Sequence, residues 1–224
     1  MYKVKPIQQT DKINVEALTR LQLQMKTGKV RFSLPYTKEQ VNDILIGCLD
    51  AEVKYRHREP IHNDMTMEYI NQASSWLLST DKFGLLICGS PGNGKTTLMK
   101  AIIDAVNFAD VHDENGKVCR VYIKDAKEIT RLCKTDYNEY KRCMMYDMLA
   151  IDDLGCEPTE VVDYGNIINP VIDLLSYRYN EQLFTIVTTN LQPQQIREKY
   201  GDRLADRFNE MMDRIIFRNS TYRK

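Results

Sequence analysis

An excess of charge of either sign is the first thing this chain lacks. Lysine plus arginine and aspartate plus glutamate each number 31 among 224 residues, so the formal net charge is zero. Net charge therefore says nothing about nucleic acid, and any basic surface must be local and offset by acid elsewhere. Metal-site patterning is missing too. The six cysteines (48, 88, 119, 133, 143 and 156) form no C-x-x-C pair, and the three histidines (57, 62 and 112) are scattered, which argues against zinc. Several cysteines fall on apolar faces, as buried free thiols do. No signal peptide opens the chain, and no apolar run approaches the length of a membrane span. These absences describe a reducing, cytoplasmic protein with no membrane partner. The length suits one α/β domain with an N-terminal extension.

What is present centres on Phe83 to Thr97. Leu85, Leu86, Ile87 and Cys88 form a short apolar run, as a parallel strand buried on both faces requires. Gly89, Ser90, Pro91, Gly92, Asn93, Gly94, Lys95 and Thr96, followed by Thr97, fit the phosphate-loop pattern G-x-x-x-x-G-K-[ST]. Glycines let backbone N–H groups close on a polyphosphate. Lys95 can reach the β/γ-phosphates, Thr96 can ligate Mg²⁺, and the following helix points its positive end at the anion. ATP with Mg²⁺ is the expected cofactor.

Two later strands complete that chemistry. Met148 to Leu154 is apolar and carries Asp152 and Asp153. Asp152, on a strand expected to adjoin the phosphate-loop strand, suits the metal, and Asp153 suits the attacking water. Leu183 to Thr189 is a similar strand followed by Asn190, which can sense the γ-phosphate. Arg203 and Arg207 lie four apart on one helical face. They are candidates for a finger supplied to a neighbouring subunit, or for pairing with Asp202, Asp206 or Glu210. Lys127, Arg131 and Lys134 recur at helical spacing, with Lys141 and Arg142 beyond. They form either a track for single-stranded DNA or a solvated face balanced by Asp136 and Glu139.

Ahead of the phosphate loop, helices are expected near 11–25, from a Thr37–Gln40 capping box onward, and over 64–78. The first two either pack on the core or dock a partner, and the start of the third, at 61–64, borders the expected base site. A further helix is expected over 163–179. Strands are expected near 84–88, 118–123, 148–152, 183–188 and 213–218.

The aggregate of Gly89–Thr96, Leu149–Gly155, Ser176–Tyr179, Ile186–Asn190, Gly201–Arg207 and the closing Phe217-Arg-Asn-Ser-Thr-Tyr-Arg223 resembles the DnaC/IstB group of AAA+ ATPases, bacterial helicase loaders and transposition helpers. The resemblance implies an α/β P-loop NTPase fold, a three-layer sandwich around a five-stranded parallel sheet, over 61–224, with residues 1–60 as a helical extension. It also implies Lys95, Thr96, Asp152, Asp153 and Asn190 in the roles above, with Arg207 as the finger in trans and Arg203 supporting. A homo-oligomer, single-stranded DNA on Lys127, Arg131 and Lys134, and a replicative helicase or a transposase as client follow from the same resemblance. A rival reading from another class is a nucleotide-dependent interaction protein that binds ATP with negligible turnover. The chain departs from many relatives in leaving no room for a helical lid after its last strand, and residues 1–60 match no known helicase-binding region.

Overall fold

A computed structural model of the chain describes residues 14–25, 31–113, 115–163 and 166–219. Ile13, Gly28 and the Ser220 to Arg223 part of the closing motif lie outside them. The chain divides into two compact units, 1–30 and 31–224. The first holds α1 (Val15–Met25), whose first turn is capped where the Ala17 N–H donates to Asn14 Oδ1 at 3.0 Å.

The second unit begins with α2 (Lys38–Tyr55) and α3 (Asp64–Leu78). The Thr37–Gln40 box closes in both directions, and the Thr66 N–H donates to Asn63 Oδ1 at 2.9 Å, so each helix has a satisfied start. Then come β1 (Gly84–Gly89), α4 (Lys95–Phe108), β2 (Val121–Asp125), α5 (Ala126–Thr135), α6 (Tyr137–Met145) and β3 (Met148–Leu154). A small hairpin of β4 (Val161–Asp163) and β5 (Asn166–Ile168) precedes α7 (Pro170–Asn180). The chain continues through β6 (Phe184–Thr189), α8 (Pro193–Tyr200), α9 (Asp202–Met211) and β7 (Met212–Phe217).

Five strands form one parallel sheet in the order β2-β3-β6-β1-β7. Successive side chains of a strand face opposite ways, and both faces are covered. Leu85 and Ile87 join a core with Val41 and Leu45 of α2, Ile70 of α3 and Ile102 of α4. Leu86 joins the other, with Ile129 of α5, Leu174 of α7 and Phe208 of α9. The result is a three-layer α/β sandwich, as the sequence leads one to expect. Among the described residues no helix is long and apolar enough to cross a membrane.

Four local expectations are corrected. β6, not β3, is the neighbour of β1, so Asp152 stands one strand further away than expected. β2 starts at Val121, because Val118 bridges back to His112 instead. Where helix was expected from 163, Val161–Asp163 and Asn166–Ile168 pair as antiparallel strands; Pro170, whose fixed φ suits a first helical turn, sets the start of α7. The helix after β2 breaks at Asp136, whose φ of −152° is not helical and whose carboxylate caps α6 by accepting from the Glu139 N–H at 2.9 Å.

Candidate nucleotide site

The loop from Gly89 to Gly94 joins β1 to α4 at the carboxyl edge of the sheet. Gly89 has φ 148°, and a Cβ there would lie 2.6 Å from both Asn93 Nδ2 and the Phe217 carbonyl, so no side chain fits. Gly94 is the N-cap of α4 at φ 101°, and no side chain caps that helix. A helix start without a side-chain cap is a place where backbone N–H groups and the positive end of the helix can meet an anion.

Lys95 is 5% exposed, and its ammonium lies within the cup. It donates to Gly89 O at 2.9 Å, Ser90 O at 2.8 Å, Asn93 Oδ1 at 3.2 Å and Asn190 Oδ1 at 2.7 Å. The cation thus ties the loop to the tip of β6, as sequence spacing alone could only suggest. Beside it, Thr96 Oγ1 donates to Asp152 Oδ1 at 3.0 Å, reaching across the end of β6 to β3. The same carboxylate oxygen accepts from Thr188 Oγ1 and, at 3.2 Å, from the Asp153 N–H. The pairing register of β3 with β6 shifts between Ile151 and Leu154, and Asp153 takes φ 54° there. That bulge turns two consecutive carboxylates toward one side. Burial, then the neighbouring Asp152 and Asp125 charges, push the Asp153 carboxyl above the ordinary carboxylate range, while Lys95 and Lys127 pull the other way.

Lys95, Thr96, Asp152, Asp153 and Asn190 line a cavity of about 1010 Å³ together with the loop from Pro91 to Gly94 and Thr97, while Gly89 and Ser90 are not among its lining residues. Its far wall comes from the end of α2 and the following segment, including Val53, Pro60, Ile61 and His62. His62 Nε2 lies 2.6 Å from Asp50 Oδ1, pinning that segment to α2. A magnesium nucleotide fits what is there. Asn93 Nδ2 is a buried donor without a partner, the glycine cradle excludes Cβ atoms, and Thr96 and Asp152 offer hard oxygen ligands side by side.

Not every expected residue joins the cup. Arg203 and Arg207, on α9, are not among the lining residues. Arg203 is exposed, and the Arg207 guanidinium lies 4.9 Å from the centre of the Tyr179 ring. Their supposed local partners are engaged elsewhere: Asp202 and Asp206 both pair with Arg197, and Glu210 accepts from the Tyr179 hydroxyl. Lys127, Arg131 and Lys134 are exposed on α5. The acids offered as their counterweight are also spoken for, Asp136 in its cap and Glu139 with Arg142 at 2.7 Å. Glu128 pairs with Lys124 at 2.8 Å, and Asp125 caps α5 by accepting from the Lys127 N–H at 2.7 Å.

Sequence reasoning missed Thr188, which lies on β6 two residues before Asn190 and donates to Asp152 Oδ1. It also missed Arg56 and Arg58, which line the cavity alongside Lys95. Their position depends on how α2 folds back, which has no short-range signature.

The family model for the ATPase family associated with various cellular activities (AAA) matches residues 85–213. Comparison with curated proteins returns no match. Among solved structures, one of the DnaC helicase loader is 24% identical, with a TM-score of 0.56, covering 71% of this chain and 93% of that one. A structure of DnaI is 23% identical, with a TM-score of 0.57 and coverage of 87% and 97%. AMPPCP-bound DnaA from Aquifex aeolicus is 21% identical, with a TM-score of 0.51 and coverage of 70% and 48%. At these identities the structures share a fold with this chain. With the family model spanning more than half of its length, the chain belongs to the AAA family of ATPases.

Proposed function

We propose that this protein binds and hydrolyses ATP and works as a DnaC-like loader of a replicative helicase onto single-stranded DNA. The observation that carries the reading is the convergence of Lys95, Thr96, Asp152, Asp153 and Asn190 on one cavity edge. The likeness of the whole fold to the DnaC helicase loader and DnaI supports the replicative role.

In this reading the loop N–H groups, the open end of α4 and Lys95 hold the phosphates, and Thr96 with Asp152 holds Mg²⁺. The metal, when bound, neutralises charge developing between the β- and γ-phosphates. Asp153 orients the attacking water and accepts its proton. Its raised proton affinity suits that task better than an ordinary aspartate's would. Asn190, hydrogen-bonded to Lys95, senses the terminal phosphate. Arg207 completes a neighbour's site with Arg203 in support, and the exposed cations of α5 track the DNA backbone. Residues 1–60 are assigned to a helical extension ahead of the ATPase domain at 61–224. Because Val41 and Leu45 of α2 are fully buried, partner contacts fall to the first unit, 1–30.

The test is ATP turnover with and without single-stranded DNA, for wild type and Arg207→Ala. Turnover that responds to DNA, and that falls by roughly 10³-fold in Arg207→Ala with nucleotide still bound, is the expected result. A rate indifferent to DNA removes the loader reading's DNA contact. A silent Arg207→Ala removes the finger in trans.

A further inference from the structure

The closing Phe-Arg-Asn-Ser-Thr-Tyr-Arg stretch is a distinctive motif to which the proposed chemistry gives no task. Its described part, residues 217–219, lies against the back of the phosphate loop. Phe217 pairs in register with Gly89, and its carbonyl and Cβ occupy the space a Gly89 side chain would need. The Phe217 ring stacks on Tyr69 of α3 at 4.1 Å between centroids. The Tyr69 hydroxyl accepts from the Arg218 N–H at 2.9 Å and donates to Asn219 Oδ1 at 3.4 Å. Asn219 Nδ2 then donates to the Asn93 carbonyl at 2.9 Å.

That last bond holds the peptide that joins Asn93 to Gly94. The Asn93 carbonyl and the Gly94 N–H belong to one trans peptide, so they point in opposite directions. Holding the carbonyl toward Asn219 therefore aims the Gly94 N–H the other way. Glycine accepts φ values of either sign, so Gly94 itself offers little resistance to rotation of this peptide. Rotated, it would present a carbonyl oxygen where an anion needs a donor.

We infer that Asn219 is a positioning residue for the phosphate loop: it locks the Asn93–Gly94 peptide with the N–H toward the nucleotide, and Tyr69 holds Asn219 in place. The inference rests on the cavity being a nucleotide site. It makes the segment after β7 part of the phosphate grip, although it touches no phosphate. Pre-organising a binding loop raises affinity by removing the cost of ordering it.

The experiment titrates full-length protein with a fluorescent ATP analogue and Mg²⁺, for wild type, Asn219→Ala, Asn219→Asp, Tyr69→Phe and Lys95→Ala, and records melting of each without nucleotide. Asn219→Ala is expected to weaken binding roughly five- to tenfold, the scale of one net hydrogen bond. Asn219→Asp keeps the acceptor for Tyr69 but faces the Asn93 carbonyl with an oxygen, so it should weaken binding more than alanine does. Tyr69→Phe keeps the ring stack and should weaken binding less. Affinity within twofold of wild type for both Asn219 variants overturns the inference, as does a lowered melting temperature with unchanged affinity, which would mark a structural role only. Wild type that fails to bind, or Lys95→Ala that binds equally well, overturns the nucleotide reading itself.

Discussion

Tyr200→Phe deletes one oxygen from the protein, and the surroundings of that oxygen set the size of the effect. Glu157 is 2% exposed, unusual for a carboxylate, and sits just past the two acids of β3. Its Oε1 accepts from the Tyr200 hydroxyl and its Oε2 from the Gly155 N–H at 2.8 Å. The Lys199 ammonium stands 4.0 Å from Oε1 and donates to the Gly155 and Glu157 carbonyls, each at 2.7 Å. Burial first, and then the bond to Glu157, push the Tyr200 hydroxyl far above its ordinary range, so it donates as a neutral phenol at any working pH. Without it, a buried carboxylate oxygen keeps only the distant Lys199 among these partners. A hydrogen bond to a charged group contributes about 1.5–3 kcal/mol, and no comparable gain comes from losing a hydroxyl already 5% exposed. For a chain of this length each kcal/mol moves the midpoint by about 2–4 °C, so Tyr200→Phe should melt about 3–12 °C lower. Thermal and urea unfolding would measure it, and a cycle with Glu157→Gln would isolate the pair, since a glutamine there no longer carries the charge. A shift under about 1 °C, with both single variants and the double equally mild, would refute the reasoning.

Two further outcomes are expected. Asp153→Asn should keep nucleotide binding and lose at least about a hundredfold in hydrolysis. It should melt no lower than wild type, because it removes a carboxylate whose charge burial and Asp152 disfavour and because asparagine suits φ 54°; a lower melting temperature would contradict that. Arg178→Ala empties a fully buried site where the guanidinium donates to Thr185 Oγ1 and to the Met144, Tyr146 and Phe184 carbonyls. The void and the orphaned acceptors should together cost about 3–5 kcal/mol in urea unfolding, and a loss below about 1 kcal/mol would show those acceptors finding other donors.

What the sequence disclosed about this site divides by distance along the chain. The phosphate loop, the paired acids and Asn190 are short patterns whose chemistry fixes their spacing, and the structure brings them to one edge of the sheet. The Thr37–Gln40 cap is likewise local and forms in full. Strand order is not local. Nothing in the composition of β3 or β6 says which of them pairs with β1, and the expected adjacency of Asp152 was wrong by one strand. Residues 161–168 mix β-branched residues that serve a helix face or a hairpin, and only the pairing of Val161 with Ile168 decides between them. The break at Asp136 was the readable miss: Asp136 followed by Glu139 is the spacing of a fresh helix start.

The sheet explains why residues so far apart in the chain can act together. In a parallel sheet every strand ends on the same edge, so the tips of β1, β6 and β3 deliver the loop, Asn190 and the acids within reach of one another. The donors at this edge are already matched to acceptors: Lys95 to four oxygens, and Thr96, Thr188 and the Asp153 N–H to a single oxygen of Asp152. In the proposed reading, taking up a magnesium nucleotide would be an exchange of hydrogen bonds, with phosphate oxygens replacing carbonyls on Lys95 and Asp152 giving up donors to hold the metal. Such an exchange gives little net enthalpy by itself, because each bond made replaces one lost. Affinity would then come from groups that give up less: the unpartnered Asn93 Nδ2, the positive end of α4, and, on the inference above, a loop peptide held in place by Asn219. That places the control of binding in the backbone of the loop and in whatever holds it, more than in the side chains that meet the phosphates.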